Sequence, residues 1–199
     1  MRLSAPGFSL RVMSCWLLIH YLERNAMSEL KPLVGILMGS ENDYEIMIEA
    51  ARALKGFGIG FEMTVSSAHR SPGRTARYAR EARQRGLRVL IVGAGAAAHL
   101  AGVVAAETTL PVIGVPIDSS SLWGFDALLS TVQMPAGVPV ATMALGKAGA
   151  RNAGIFAAQI LGSGNAELAL RLDEFKGELA ASVEARAQSL QERLALEKF

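Results

Sequence analysis

The sequence predicts an α/β protein: three layers, with a parallel sheet between two sets of helices, followed by a long C-terminal helix. Three observations carry this expectation. Five short apolar runs alternate with segments whose apolar residues recur at helical spacing, the pattern of successive β–α units. The apolar runs are nearly uninterrupted, as strands buried on both faces require. The segment 166–198 carries a single apolar stripe, formed by Leu168, Leu172, Phe175, Leu179, Val183, Leu190 and Leu194.

The elements follow in order. Leu33–Met38 reads as a buried strand ending in Gly39-Ser40. Asn42–Phe57 has Ile46, Met47, Ala50, Leu54 and Phe57 on one helical face, and Gly58 is placed to stop it. Phe61–Val65 is the second strand, and Pro72–Arg85 an arginine-rich helix closed by Gly86. Val89–Val92 is the third strand, followed by Gly93-Ala94-Gly95 and a small-residue helix over Ala97–Thr108. Val112–Val115, a helix over Ser121–Thr131, strand Val138–Met143 and an alanine-rich helix over Gly149–Leu161 complete the pattern.

Composition narrows the function classes. The chain has 199 residues, 51% of them hydrophobic and 19% charged, which excludes a disordered protein. Its 20 glycines follow no period of three, which excludes a collagen-like one. Two uncharged stretches, Val89–Ala106 and Ala127–Gly146, are broken by Gly, Pro, His or Gln, so neither reads as a membrane span. The apolar excess is therefore expected inside the core and between subunits, with the helices Ala97–Thr108 and Gly149–Leu161 and the tail stripe as contacts.

The net charge of +2 belongs entirely to residues 1–26, where Arg2, Arg11 and Arg24 face only Glu23. The rest is neutral and has no basic run with interleaved aromatics, which speaks against nucleic acid as a partner. The single cysteine, Cys15, also lies there, so an intramolecular disulfide and a CxxC pair are out, and a cytoplasmic setting is expected. Met27-Ser28 reads as the working start, with 1–26 an extension outside the fold. A signal peptide is the alternative, weakened by Ser14, Cys15 and the lack of a small-x-small cleavage site. The expected organisation is thus a leader at 1–26, a catalytic domain at 27–163, and a C-terminal helix at 164–199 that packs on the domain or on a neighbouring subunit.

Ligands of open parallel sheets bind beyond the carboxyl ends of the strands. Here those ends, Gly39-Ser40, Ser66–Arg70, Gly93–Gly95 and Pro116–Ser121, are the polar and glycine-rich pieces. Gly39-Ser40-x-x-Asp43 offers free N–H groups and a hydroxyl to an anion, and a carboxylate to sugar hydroxyls, although Ser40 is equally suited to cap a helix. Ser67-Ala68-His69-Arg70 puts a loop histidine, suited to acid–base work, beside a guanidinium that can hold phosphate; a solvated surface pair is the plain alternative. Gly93-Ala94-Gly95-Ala96-x-x-His99-Leu100 allows a flat ligand to approach the backbone, or simply tight packing of helix on sheet. Gln133–Thr142 reads as a stiff turn. No GxGxxG, no Walker lysine and no carboxylate cluster accompanies the histidines, so neither a cofactor nor a catalytic metal is expected.

Together, Met38-Gly39-Ser40-x-x-Asp43, Ser67-Ala68-His69-Arg70-x-Pro72, Gly93-Ala94-Gly95-x-Ala97-Ala98-His99-Leu100 and Gln133-Met134-Pro135-x-Gly137-x-Pro139-Val140-Ala141-Thr142 resemble the catalytic-subunit family of phosphoribosylaminoimidazole carboxylase. The likeness is greater to its class I branch, the N5-carboxyaminoimidazole ribonucleotide mutases of purine (IMP) biosynthesis. Arg70 after His69, and the Gly-Ala-Gly…His-Leu loop, distinguish it from the class II enzymes, which carboxylate aminoimidazole ribonucleotide directly with CO2. The pattern departs from the family at Ala96, Ala101, Trp123 and Ala127. The resemblance implies a flavodoxin-like fold, an isomerase without cofactor, a ribonucleotide substrate and a homo-octamer. It implies His69 as the catalytic acid–base, and Ser40, Asp43 and Arg70 as contacts to the ribose phosphate. Gly39, Ser67, Ala68, Gly95, Ala96, His99 and Leu100 would form the remaining pocket. Rival readings are a direct carboxylase, a nickel-pincer cofactor synthase (which relies on a cysteine this core lacks), and a non-catalytic nucleotide-binding module with no use for His69-Arg70.

Overall fold

The computed structural model describes residues 31–197, so the expectations for the leader and for Cys15 lie outside the described residues. The chain runs β1 (Val34–Met38), α1 (Tyr44–Gly56, entered through a single 3-10 turn at Glu41–Asp43), β2 (Phe61–Val65), α2 (Pro72–Glu81), β3 (Val89–Gly95), α3 (Leu100–Ala106), β4 (Val112–Ile117), α4 (Phe125–Val132), β5 (Ala141–Thr142), α5 (Gly146–Gly162) and α6 (Ala166–Leu196). All strands pair in parallel, in the order β2-β1-β3-β4-β5. This is the flavodoxin-like order, and it places β1 and β3 side by side at the sheet's topological switch point.

Period-two alternation divides the strands between two cores. Val34, Ile36, Val89, Ile91, Ile113 and Val115 face α1 and α5. Leu37, Leu90, Val92 and Val112 face the layer of α2, α3 and α4. These side chains are almost wholly buried, each stabilising the fold by roughly 1.5–3 kcal/mol relative to exposure. Small residues let α5 approach α1: a Cβ on Gly154 would stand 2.6 Å from the Ala50 carbonyl oxygen. The small face of α5, including Gly149, Ala150, Ala153, Ala157 and Ala158, is therefore buried within the chain rather than offered to another subunit, as the composition had suggested.

Helix ends follow sequence chemistry. Gly58 and Gly86 adopt positive φ (66° and 99°). In each case the residue after the glycine donates back to a carbonyl five residues earlier, Ile59 to Leu54 and Leu87 to Ala82. Several boundaries differ from expectation: β4 runs on to Ile117, α4 begins at Phe125 rather than Ser121, and α5 begins at Gly146 rather than Gly149. The helical segment of α2 stops at Glu81, and turns carry the chain to Gly86. β3 continues through Gly95, so α3 begins at Leu100 rather than near Ala97. β5 pairs through only two residues, Ala141 with Ile113 and Thr142 with Gly114, because Pro139 supplies no donor and a turn at Gly137 holds the preceding segment.

The stripe on α6 divides in two. Leu168 is buried and Leu172 and Phe175 pack on the α1–α5 core, whereas Leu179, Val183, Leu190 and Leu194 are exposed. No helix among the described residues is long and apolar enough to cross a membrane.

Candidate active site

The carboxyl ends of β1 to β4 open on a hollow of about 310 Å³. Four turns build its wall, the same four strand ends marked in the sequence.

After β1, the Ser40 hydroxyl accepts from the Asn42 N–H (3.3 Å), and the Ser40 N–H donates to Asp43 Oδ2 (3.0 Å). The pair thus caps the turn into α1 and also faces the hollow, so the capping and ligand-binding readings of Ser40 coexist. Asp43 is only 6% exposed. Burial pushes its carboxyl above the usual carboxylate range, against the pull of the backbone N–H groups of Ser40 and Gly39.

After β2, Ser67 and Ser71 fold the turn: the Ser67 N–H donates to Ser71 Oγ and the Ser71 hydroxyl donates to the Ser67 carbonyl. The Arg70 N–H donates to Ser67 Oγ (3.2 Å), and its Nη2 donates to the Gly39 carbonyl (3.1 Å). The guanidinium therefore bridges the β1 and β2 turns, is exposed to the hollow, and has no carboxylate partner among the described residues. Such a group is available for an anionic ligand.

His69 and His99 meet across the hollow's mouth. Nε2 of His69 lies 2.8 Å from Nδ1 of His99, with the rings edge to face at 4.9 Å between centroids. One ring must donate and the other accept, so each sets the other's tautomer. His99 occupies the residue before α3 and is exposed, with His69 as the partner of its ring. Among the described residues, no three His, Cys, Asp or Glu side chains stand close enough to share a metal ion.

After β3, a Cβ on Gly95 would fall 1.7 Å from Ser119 Oγ, so only glycine fits. Ala96 takes φ +51°, a left-handed conformation that costs a non-glycine residue about 1 kcal/mol or more. It turns the chain toward α3 without lining the hollow. The other predicted residues, Gly39, Ser67, Ala68 and Leu100 among them, do line it. Ala94, Ala98 and Ser119 line it as well; they lie within the stretches marked in the sequence but were not named there as site residues. A polar residue just beyond an apolar strand was the available signal for Ser119, but it stands among three consecutive serines.

A model of the AIR carboxylase family matches residues 33–182. A Bacillus subtilis protein named N5-carboxyaminoimidazole ribonucleotide mutase is 57% identical over 145 residues, covering 73% of this chain and 90% of its own. A Pyrococcus horikoshii protein of the same name is 50% identical over 167 residues, covering 84% and 93%. Among solved structures, Treponema denticola PurE superposes with a TM-score of 0.72 at 28% identity, covering 80% of this chain and 98% of that one. A match that runs through every strand and into α6, at such identity, goes beyond a shared fold: the chain belongs to the AIR carboxylase family.

Proposed function

We propose that this hollow isomerises N5-carboxyaminoimidazole ribonucleotide to 4-carboxy-5-aminoimidazole ribonucleotide, a step of purine synthesis. The observation that carries the reading is the His69–His99 pair beside a guanidinium that has no carboxylate partner among the described residues, at the β1/β3 switch point. The names of the relatives supply the substrate. They support the mutase rather than direct carboxylation with CO2.

In this reading Ser40, Asp43 and Arg70 hold the ribose phosphate, and the base lies on the glycine floor of β3. The carbamate C–N bond breaks, its electron pair remains on the exocyclic nitrogen, and CO2 is released into the hollow. Ring carbon C4 then attacks CO2, a C–C bond forms, and the displaced π pair becomes the new carboxylate. The nitrogen gains one proton and C4 loses one, so a single histidine balances the reaction. His69 does this work while His99 fixes its tautomer. The remaining barrier is lowered by proximity and by retention of CO2 near C4.

The same reading takes the enzyme to be a cytoplasmic homo-oligomer, an octamer as in the family resemblance. What supports oligomerisation is the apolar run Leu122, Trp123, Phe125, Leu129 and Val132, each between 49% and 80% exposed.

His69→Asn tests the function. The variant is expected to bind the nucleotide with near wild-type affinity and to lose turnover by about a hundredfold or more. Near wild-type turnover would sink the assignment.

A further inference from the structure

The β4 turn contributes one side chain to the hollow, and neither the motifs nor the family resemblance assigns it a role. Of the three consecutive serines after β4, Ser120 is committed to the fold: its hydroxyl donates to Asp126 Oδ1 (2.9 Å) and accepts from the Leu122 N–H (3.1 Å). Ser119 lines the hollow and is exposed, and its hydroxyl makes no hydrogen bond among the described residues. Its backbone is held by a bond from its N–H to the Ile117 carbonyl (3.0 Å). Its Oγ is pressed against Gly95, where any Cβ would collide with it.

Position gives this hydroxyl a task. Strand order sets the polar groups out in a row: Ser67, His69 and Arg70 beyond β2, Ser40 and Asp43 beyond β1, the glycine floor beyond β3, and Ser119 beyond β4. Neighbouring strands are about 4.8 Å apart, so Ser119 lies at the opposite end of the row from Arg70. A nucleotide with its phosphate at the Ser40–Arg70 end and its ring on the glycine floor brings the exocyclic nitrogen and C4 toward Ser119. Both positions carry the migrating carboxyl group, as a carbamate before the transfer and a carboxylate after it. Each form is an anion that takes a hydrogen bond from a hydroxyl.

We propose that Ser119 is a substrate contact of the mutase, whose hydroxyl donates to the migrating carboxyl group and keeps the released CO2 at the β4 side of the hollow until C4 captures it. The proposal rests on the function given above. Losing the contact should slow capture relative to escape, so that some turnovers end as free aminoimidazole ribonucleotide and CO2.

The test uses the full chain with Ser119→Ala and Ser119→Cys. The cysteine variant preserves bulk against Gly95 but donates only weakly. Three quantities are read: kcat on N5-carboxyaminoimidazole ribonucleotide, equilibrium nucleotide affinity, and the fraction of turnovers released as aminoimidazole ribonucleotide after subtraction of uncatalysed breakdown. Both variants should lose about tenfold or more in kcat, keep affinity within about threefold, and release a larger fraction of decarboxylated product. Wild-type kcat and partition in a correctly folded Ser119→Cys overturn the proposal, even if Ser119→Ala fails to fold. A loss of affinity with unchanged partition overturns it too, since that marks a merely structural role. A wild-type enzyme without mutase turnover refutes the functional reading itself, and this proposal with it.

Discussion

Two hollows of this molecule invite comparison. The larger, about 500 Å³, lies between α1, α5 and α6, on a base of Phe57, Ile155 and Phe175. The smaller, about 310 Å³, lies at the strand ends. Both carry arginines, but these are employed differently. In the larger, Arg52 pairs with Glu49, Arg171 binds the Phe57 carbonyl (2.8 Å) and Glu167, and Arg151, which makes no hydrogen bond or ion pair among the described residues, shares the lining with Glu174 and Glu178. Phe57 and Phe175 pack edge to face at 5.4 Å. These contacts attach the tail helix to the body. In the smaller hollow Arg70 reaches only a carbonyl and a serine, two imidazoles have each other as partner, and one hydroxyl has none. What sets the smaller hollow apart is that four strand ends bring polar side chains with spare hydrogen-bonding capacity to one place.

Variants at Arg70, Asp43 and Arg52 separate the two hollows. Arg70→Ala is expected to raise KM by about 10- to 100-fold with a smaller change in kcat, because it removes a charge-assisted contact to phosphate. Steady-state kinetics with parallel binding measurements check this, and an unchanged KM would return Arg70 to a structural role.

Asp43→Asn separates function from stability at one residue. Turnover should fall by about tenfold, while the Ser40 N–H keeps an amide oxygen as acceptor. Burial raises the Asp43 pKa, so the folded state holds its proton to a higher pH than the unfolded chain does. Wild-type stability therefore falls as pH rises from near the ordinary value of 3.8 through the raised one. The melting temperature of Asp43→Asn should accordingly gain on wild type across that window and stay level with it or above it at pH 7. A variant that instead loses ground as pH rises would show that the ionised carboxylate stabilises the fold.

Arg52→Ala, in the larger hollow, should leave turnover within about twofold. It removes an exposed ion pair worth about 0.5 kcal/mol or less, so the melting temperature should barely move. A large loss of activity would give that hollow a role in the chemistry.

The same comparison explains what could be read from the sequence. Buried strands announce themselves as apolar runs, and β2 falls on its expected residues Phe61–Val65. Glycines, which reach positive φ without strain, marked the ends at Gly58 and Gly86. The site's loops were legible because polar residues follow apolar strands at the switch point. The errors arose where local pattern yields to tertiary pairing. β3 runs on through Gly93-Ala94-Gly95 because β4 pairs with it as far as Ile117, and glycines in a strand resemble a loop in sequence. Ala97–His99 have helix-forming residues, but the left-handed Ala96 delays α3 to Leu100. Ser119 lay within the strand end Pro116–Ser121 but was not named, since nothing in a row of serines tells which one the strand aims into the hollow.

The central claim is that the strand-end hollow transfers a carboxyl group within one nucleotide. The most direct measurement is turnover by the wild-type enzyme, without ATP and at low bicarbonate, of N5-carboxyaminoimidazole ribonucleotide in one assay and aminoimidazole ribonucleotide plus CO2 in another. Efficient conversion of the first to 4-carboxy-5-aminoimidazole ribonucleotide, and little from the second, is the expected result. Efficient use of aminoimidazole ribonucleotide and CO2 alone, or no conversion of either, would contradict it.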